Sequence, residues 1–311
     1  MAGSSSITGT DWIAVDWGTS SLRVWALGRD GDVLAKAVSQ EGMGGLAPAD
    51  YEPVLMAHIR TWLPETAVRS VPVIVCGMAG AKQGWKEAAY RVAPCAAVPE
   101  GEMIRVPTRD ARLSVHILPG VCQLDPADVM RGEETQLAGL AANLGPLDAT
   151  VCLPGTHSKW VRLEGGRIAG FRTFMTGELF SVIAGHSILR HSIAPEGENA
   201  AAFAKAVEDM LADPAGLTGA LFAIRASGLV GRSDGAAARS RLSGLLIGAE
   251  LAATRPQWDA KPVHIVGSGS LIDAYATALK TAGARPVRQD AEALTLAGLK
   301  QARAAMLEIQ S

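Results

Sequence analysis

The sequence predicts an α/β protein of two domains, each a mixed sheet that opens with a β-meander and is flanked by helices. Three observations predict it. The chain has 311 residues, too many for one ordinary core and suited to two domains of about 150 residues each. A strand-turn-strand-turn-strand pattern occurs twice, once from Trp12 and again from Thr150. Helical periodicity, rather than further hairpins, dominates after each meander.

Trp12 to Asp16 is a short apolar run that predicts a buried strand, Trp17 to Ser20 a polar turn, and Leu22 to Leu27 a second strand. Gly31-Asp32 separates it from a third, Val33 to Val38. Apolar residues at Val54, Leu55, Ile59 and Trp62 predict a helix from Ala49 to Leu63, stopped by Pro64. Strand Val71 to Cys76 leads into the Gly-rich segment Gly77 to Trp85, and a helix from Arg131 to Asn143 precedes the second meander. There, Thr150 to Leu153, Lys159 to Leu163 and Arg167 to Arg172 are the strands, with Gly165-Gly166 as the hairpin turn. Helices are expected from Thr176 to Ala253, then strand Val263 to Val266, a Gly-Ser turn, a helix to Ala282, and a last helix from Asp290 to Ile309. The apolar face of that last helix predicts a return to the first domain. The expected domains are therefore residues 1–130, completed by 290–311, and residues 131–289.

Composition narrows the function classes. A net charge of −2, with 29 Lys and Arg against 31 Asp and Glu, offers no basic face for a nucleic acid. No apolar run reaches membrane length, and Met1 to Thr10 lacks a signal-peptide pattern, so a cytoplasmic protein with no membrane partner is expected. Cys76, Cys95, Cys122 and Cys152 form no C-x-x-C pair and are expected to be reduced and mostly buried. Homo-oligomerisation is left open.

Four segments could carry chemistry. In Asp16-Trp17-Gly18-Thr19-Ser20-Ser21-Leu22-Arg23 a glycine permits a tight turn that aims N–H groups and hydroxyls at one point, as phosphate oxygens require, and Asp16 could hold hydrated Mg²⁺. The alternative is an ordinary hairpin with an Asp turn residue. Leu153-Pro154-Gly155-Thr156-His157-Ser158-Lys159 is a similar turn in the other half, with Lys159 open between a phosphate contact and solvent. Two such turns could close on a triphosphate from opposite sides. Gly267-Ser268-Gly269-Ser270 sits between a strand and a helix, where an anion or nucleotide edge can approach; it lacks the third glycine of the dinucleotide fingerprint, which is Ile272 here. Arg131-Gly132-Glu133-Glu134 begins a helix, where acidic residues suit the macrodipole but could equally supply a general base. No P-loop, nucleophile elbow, H-E-x-x-H or protein-kinase motif is present.

The order of these motifs resembles the superfold shared by actin, the Hsp70 ATPase domain and the sugar kinases, the two-domain actin-like ATPase (ribonuclease H-like) fold. Asp16 to Arg23 looks like its first phosphate motif, Val73 to Gly80 its first connecting segment, Gly155-Thr156 its second phosphate motif, Gly267 to Ser270 its adenosine motif, and Glu292 to Gly298 its second connecting helix. Within it, Asp16 to Ser20 with Arg23, Gly77 to Trp85, Leu153 to Trp160 and Met175 to Phe180 together resemble the 2-dehydro-3-deoxygalactonokinases. That resemblance implies transfer of phosphate from ATP to the terminal C6 hydroxyl of a 2-keto-3-deoxy sugar acid in galactonate breakdown, with ATP and Mg²⁺ as cofactors. It implies Asp16 as metal ligand, and Thr19, Ser20, Ser21, Arg23, Gly155, Thr156, Gly267, Ser268, Gly269 and Ser270 as the ATP site. Gly80, Lys82, Gln83, Trp85 and Arg131 are the expected acceptor site. Larger sugar kinases place Gly-Asp-Gln where Gly132-Glu133 stands here, so the catalytic base is expected to be Glu133, with Glu134 the alternative. Three rivals remain: a nicotinamide-dependent oxidoreductase built on Gly267 to Ser270, a non-catalytic or regulatory actin-like nucleotide-binding protein, and a kinase for a different sugar or sugar acid.

Overall fold

The computed structural model describes residues 9–67, 70–99, 101–146, 148–259 and 261–310. In chain order the elements are β1 (Trp12–Trp17), β2 (Leu22–Leu27), β3 (Val33–Ser39), α1 (Tyr51–Ile59), β4 (Val71–Gly77), β5 (Tyr90–Val92), β6 (Cys95–Ala96), β7 (Ile104–Val106), β8 (Leu113–Ile117), β9 (Gly120–Leu124), β10 (Ala127–Met130) and α2 (Glu133–Leu144). They continue with β11 (Ala149–Leu153), β12 (Ser158–Glu164), β13 (Arg167–Phe174), α3 (Thr176–His186), α4 (Ala200–Ala212), α5 (Leu217–Leu229), α6 (Gly235–Trp258), β14 (Pro262–Gly267), α7 (Gly269–Thr281), β15 (Arg285–Asp290) and α8 (Ala291–Gln310). Two compact units emerge: unit 1 is Met1–Leu147, Gly165–Ala169 and Glu292–Ser311, and unit 2 is Asp148–Glu164 and Gly170–Ala291.

In unit 1 the strand order is β3-β2-β1-β4-β8-β7. The first three strands form the expected antiparallel meander, and β4 and β8 add in parallel. Strand β1 is buried along its whole length. Side chains alternate across a strand, so Ile13, Val15 and Trp17 join Val73, Val75, Tyr51 and Leu55 on the α1 face, while Trp12 and Ala14 join Ile74, Leu299, Ala302 and Met306 on the other. Helix α8 thus returns to the first unit, as its apolar face predicts. It also meets α2 at very short range. A Cβ on Gly139 would come within 2.0 Å of the Leu294 carbonyl oxygen, and one on Gly298 within 1.9 Å of the Thr135 carbonyl oxygen. Helix α2 therefore belongs to unit 1, and the division falls at 147 rather than at the expected 130.

In unit 2 the strand order β15-β14-β11-β12-β13 repeats the scheme: β11 and β12 are antiparallel, and β14 and β15 add in parallel. Helices α4, α6 and α7 bury Phe203, Val207, Ile247, Leu251, Tyr275 and Leu279 against Cys152, Trp160 and Ile265.

Three expectations need correction. The helix expected over Ala49 to Leu63 spans only Tyr51–Ile59, because the Asp50 carboxylate accepts the Ala47 N–H at 2.8 Å and closes a turn first, and the buried Trp62 and Leu63 pack from a turn beyond the helix. Among the described residues, 86–130 hold six strands of two to five residues, including the separate sheet β10-β9-β5; the sequence shows a strand pattern at His116, in β8, and none of the other five is expected from it. Strand β15 is mostly exposed and rich in charge, so only its pairing with β14 reveals it. All four cysteines are free, with Cys76 and Cys152 buried and Cys95 and Cys122 partly so.

The α2–α8 contact makes a sharp prediction. Gly298→Ala should lower the stability read from urea unfolding by about 1–3 kcal/mol, since backbone must move to admit a methyl. Gly219→Ala, within α5 and with nothing inside 4 Å of the new Cβ, should instead gain about 0.5–1 kcal/mol. Equal urea midpoints for the two variants would mean that the α2–α8 approach is not tight.

Candidate functional site

Unit 1 gathers its polar residues at the carboxyl ends of β1 and β4. Period 2 turns Asp16 to the face shared by Trp12 and Ala14, and pairing sets Arg23 opposite it on β2 and Cys76 beside it on β4. Asp16 is 9% exposed. Its Oδ2 pairs with Arg23 Nη2 at 2.7 Å, and its Oδ1 accepts from Cys76 Sγ at 3.7 Å. Burial pushes this carboxyl above its usual range, the Arg23 charge pulls it back, and the nearby Glu133 charge adds to the rise. The turn that follows is braced from beneath: Met43 and Gly44 N–H groups donate to the Gly18 and Thr19 carbonyls at 3.0 and 2.9 Å. A Cβ on Gly42 would lie 2.4 Å from Ser20 N, so only glycine fits under the turn. Thr19 and Ser20 are exposed on it, and among the described residues their N–H groups make no backbone hydrogen bond. Such a turn suits an anion.

The start of α2 stands beside this turn. Gly77 and Gly132 both have positive φ, 85° and 108°, and a Cβ on Gly132 would meet the Gly77 Cα at 3.3 Å. That close approach brings Glu133 and Glu134 to the end of β4. The two carboxylates then part. Glu134 is 2% exposed, accepts the Gly132 N–H at 2.7 Å and the Thr135 hydroxyl at 3.3 Å, and is pushed up to about 7 by burial and then by the Glu133 charge. Glu133 is half-buried and accepts the Arg131 N–H at 3.0 Å.

Of the expected acceptor residues, two come together. Gly80 lies against Arg131, where a Cβ would come within 2.8 Å of Nη1. Arg131 Nη2 donates to the Ala88 carbonyl at 2.8 Å, its guanidinium lies 4.3 Å from the Tyr90 ring centre, and its Nε and Nη1 have no hydrogen-bond partner. Trp85 stacks on Tyr51 at 5.8 Å and meets Trp17 edge-on at 6.0 Å. Lys82 and Gln83 are exposed at the loop tip. The Tyr51 hydroxyl, buried and without a hydrogen-bond partner, has no signal in the sequence to mark it.

In unit 2 a cavity of about 490 Å³ opens at the carboxyl end of β11. Gly155 and Thr156 from the turn, Thr176 and Gly177 from the start of α3, Asn199 and Ala200 from the start of α4, Arg239, Ser240 and Ser243 from α6, and Ser270 and Tyr275 from α7 line it. The turn is laced to α3. A Cβ on Gly177 would come within 2.4 Å of the Gly155 carbonyl oxygen, the Glu178 N–H donates to the Thr156 carbonyl at 2.9 Å, and His157 and Glu178 pair at 2.5 Å. The predicted Gly155, Thr156 and Ser270 thus share one cavity. Gly267, Ser268 and Gly269 form the turn into α7 but do not line it, and Lys159 is buried at 5% exposure rather than solvated. Sequence reasoning missed Asn199, Arg239, Ser240 and Ser243. Asn199 had a signal, since it accepts the Ala202 N–H at 2.9 Å as a helix N-cap; the other three sit on a helix face that only tertiary packing selects. A smaller cavity of about 190 Å³ lies at the other end of β11, beside Asp148 and Ala149. Ligands of parallel strands bind at carboxyl ends, which favours the larger one.

A model of the family described as 2-keto-3-deoxy-galactonokinase matches residues 16–302. A Rhizobium meliloti (strain 1021) protein carrying the name probable 2-dehydro-3-deoxygalactonokinase is 46% identical over 302 residues, which is 95% of this chain and 97% of its own. The Escherichia coli (strain K12) 2-dehydro-3-deoxygalactonokinase is 38% identical over 246 residues, 78% of this chain and 80% of its own. A crystal structure from Sinorhizobium meliloti, provisionally assigned as a 2-dehydro-3-deoxygalactonokinase, matches with a TM-score of 0.88 at 46% identity, covering 95% of this chain and 99% of that one. The repeated strand order is the two-domain actin-like α/β fold that the motif order implies.

The contrast between the two glutamates is open to test by pH. A carboxyl raised from its ordinary 4.5 to about 7 binds its proton more tightly when folded, so its contribution to stability is full below about pH 4.5 and is lost as pH rises through about 7. Glu134→Gln cannot ionise. Its stability relative to the parent should therefore rise by about 1–3 kcal/mol between about pH 5 and about pH 8. Parallel profiles for parent and variant would show that Glu134 carries no burial-induced shift.

Proposed function

The chain belongs to the 2-keto-3-deoxy-galactonokinase family, and from that premise we propose how its own residues perform the ATP-dependent phosphorylation of 2-dehydro-3-deoxygalactonate. Membership removes the nicotinamide enzyme and the non-catalytic switch, and it favours this acid over a different sugar as acceptor. The observation that carries the assignment of sites is the unit 2 cavity, whose volume lies within the range of small-molecule sites and whose floor includes a glycine turn tied to a helix start. We assign Gly155 and Thr156 to the phosphates, and Ser270 with the Gly267–Gly269 turn to the adenosine side. The Thr19, Ser20 and Ser21 turn of unit 1 also offers hydroxyls and N–H groups suited to phosphate oxygens.

Asp16 is assigned to Mg²⁺. Magnesium takes one or two protein carboxylates and completes its shell with phosphates and water, so a single hard oxygen donor fits it; among the described residues no cluster of His, Cys, Asp and Glu could hold a metal unaided. When bound, the ion neutralises charge on the transferring phosphoryl group. Arg23 holds the Asp16 carboxylate in place, a role its 2.7 Å pairing supports over direct phosphate contact. Glu133 takes the proton of the acceptor's C6 hydroxyl. Glu134, buried and committed to Gly132 and Thr135, fixes the start of α2. Gly80, Lys82, Gln83, Trp85 and Arg131 receive the acid, with the unpartnered Arg131 N–H groups suited to its carboxylate. A cytoplasmic setting fits an enzyme that draws on ATP.

Turnover should require Mg²⁺ and a 2-keto-3-deoxy sugar acid, with the product phosphorylated at C6. Equal or better turnover with glucose or glycerol would overturn the acceptor assignment. Glu133→Gln should bind ATP and acid almost normally while kcat falls by at least about 100-fold, because a general base typically contributes on the order of 10² to 10⁴ in rate. Glu134→Gln should keep most of its activity. The large kcat loss appearing in Glu134→Gln instead would exchange the two roles.

A further inference from the structure

We infer that Glu250 is a positioning residue of the nucleotide cavity, a buried carboxylate that sets the first turn of α3 and, through it, the shape of the Gly155–Thr156 loop. The inference rests on reading that cavity as the ATP site. Glu250 lies in the middle of α6, is 2% exposed and does not itself line the cavity. Its Oε1 accepts the Trp160 indole N–H at 2.6 Å, and its Oε2 accepts the Tyr275 hydroxyl at 2.7 Å and the Thr176 hydroxyl. Ser158 and Tyr275 join the network through hydroxyls 2.6 Å apart. One side chain thus ties β12, α3 and α7 to α6.

The consequence for the loop follows from what stands next to Thr176. Gly177 packs against the Gly155 carbonyl and Glu178 donates to the Thr156 carbonyl, so a shift of the α3 start moves the loop. Tyr275, held by the same carboxylate, lines the cavity from α7. Stability alone does not account for such a group. A carboxylate withdrawn from water carries a desolvation cost, visible here as a raised affinity for its proton, and well-packed apolar residues of similar volume often stabilise as well or better. What a carboxylate does that an apolar residue cannot is accept from three donors on three elements at once, which fixes their relative positions. The indole N–H can only donate, so an acceptor is obligatory there.

Glu250→Gln tests this. The amide keeps the volume but must turn its NH₂ toward one of the donors. Calorimetric ATP binding and steady-state kinetics should show Kd and KM for ATP weakened by about 10-fold or more, with KM for 2-dehydro-3-deoxygalactonate within about 2-fold of the parent. The double variant Thr176→Val/Glu250→Gln should lose no more ATP affinity than Glu250→Gln alone. If Glu250→Gln fails to fold, Trp160→Phe serves instead: it removes one donor to the carboxylate at a residue that does not line the cavity, and should weaken ATP binding by about 3-fold or more with KM for the acid within about 2-fold of the parent. A lower Tm with unchanged ATP affinity, or equal losses for ATP and acid, would overturn the inference and leave Glu250 a structural residue. Parent protein that binds no ATP would overturn the reading of the cavity itself.

Discussion

Strand β1 has no solvent face, and much of unit 1 follows from that constraint. One face is covered by α1; the other needs a helix, and the chain supplies α8 from its far end. Helix α8 then meets α2 through Gly139 and Gly298, at a distance that excludes any side chain. Helix α2, so placed, delivers Glu133 and Glu134 to the strand end where Asp16 stands. The same alternation that buries Trp12 and Ala14 turns Asp16 to that face, so apolar packing and the placing of the carboxylates are one geometrical fact.

Adjacent residues of identical chemistry meet different environments at that helix start. Glu134 turns inward, where loss of water and the neighbouring charge favour its protonated form, and its oxygens are taken up by Gly132 and Thr135. Glu133 is the more accessible of the two. Successive helical residues point about 100° apart, so a single step along the chain separates the buried carboxyl from the more accessible one.

Unit 2 solves its positioning problem differently. Unit 1 places its site by apolar packing and by glycines that let backbones touch. In unit 2 a buried carboxylate gathers an indole and two hydroxyls from separate elements. Hydrogen bonds specify direction as well as distance, whereas apolar contacts specify mainly volume. Directional control suits the phosphate role proposed for the Gly155–Thr156 turn, because backbone groups that receive an anion must point at it.

The sequence by itself determined the two meanders, the glycine turns at Gly18 and Gly155, the return of α8, and the family. These are local or periodic properties: alternation, turn chemistry and an apolar helix face are written within a few residues of one another. Only the tertiary structure decided which glutamate is buried, that Arg23 is committed to Asp16, that α2 belongs to unit 1, and that Arg239, Ser240 and Ser243 share a cavity with Gly155. The short strands between Tyr90 and Met130 other than β8, and β15, also escaped, since segments of so few residues, or in β15 a mostly exposed one, carry too few buried apolar positions to set up an alternation. Burial and pairing depend on partners far along the chain, in one case the 90 residues between Trp160 and Glu250, and no local pattern encodes a partner at that distance.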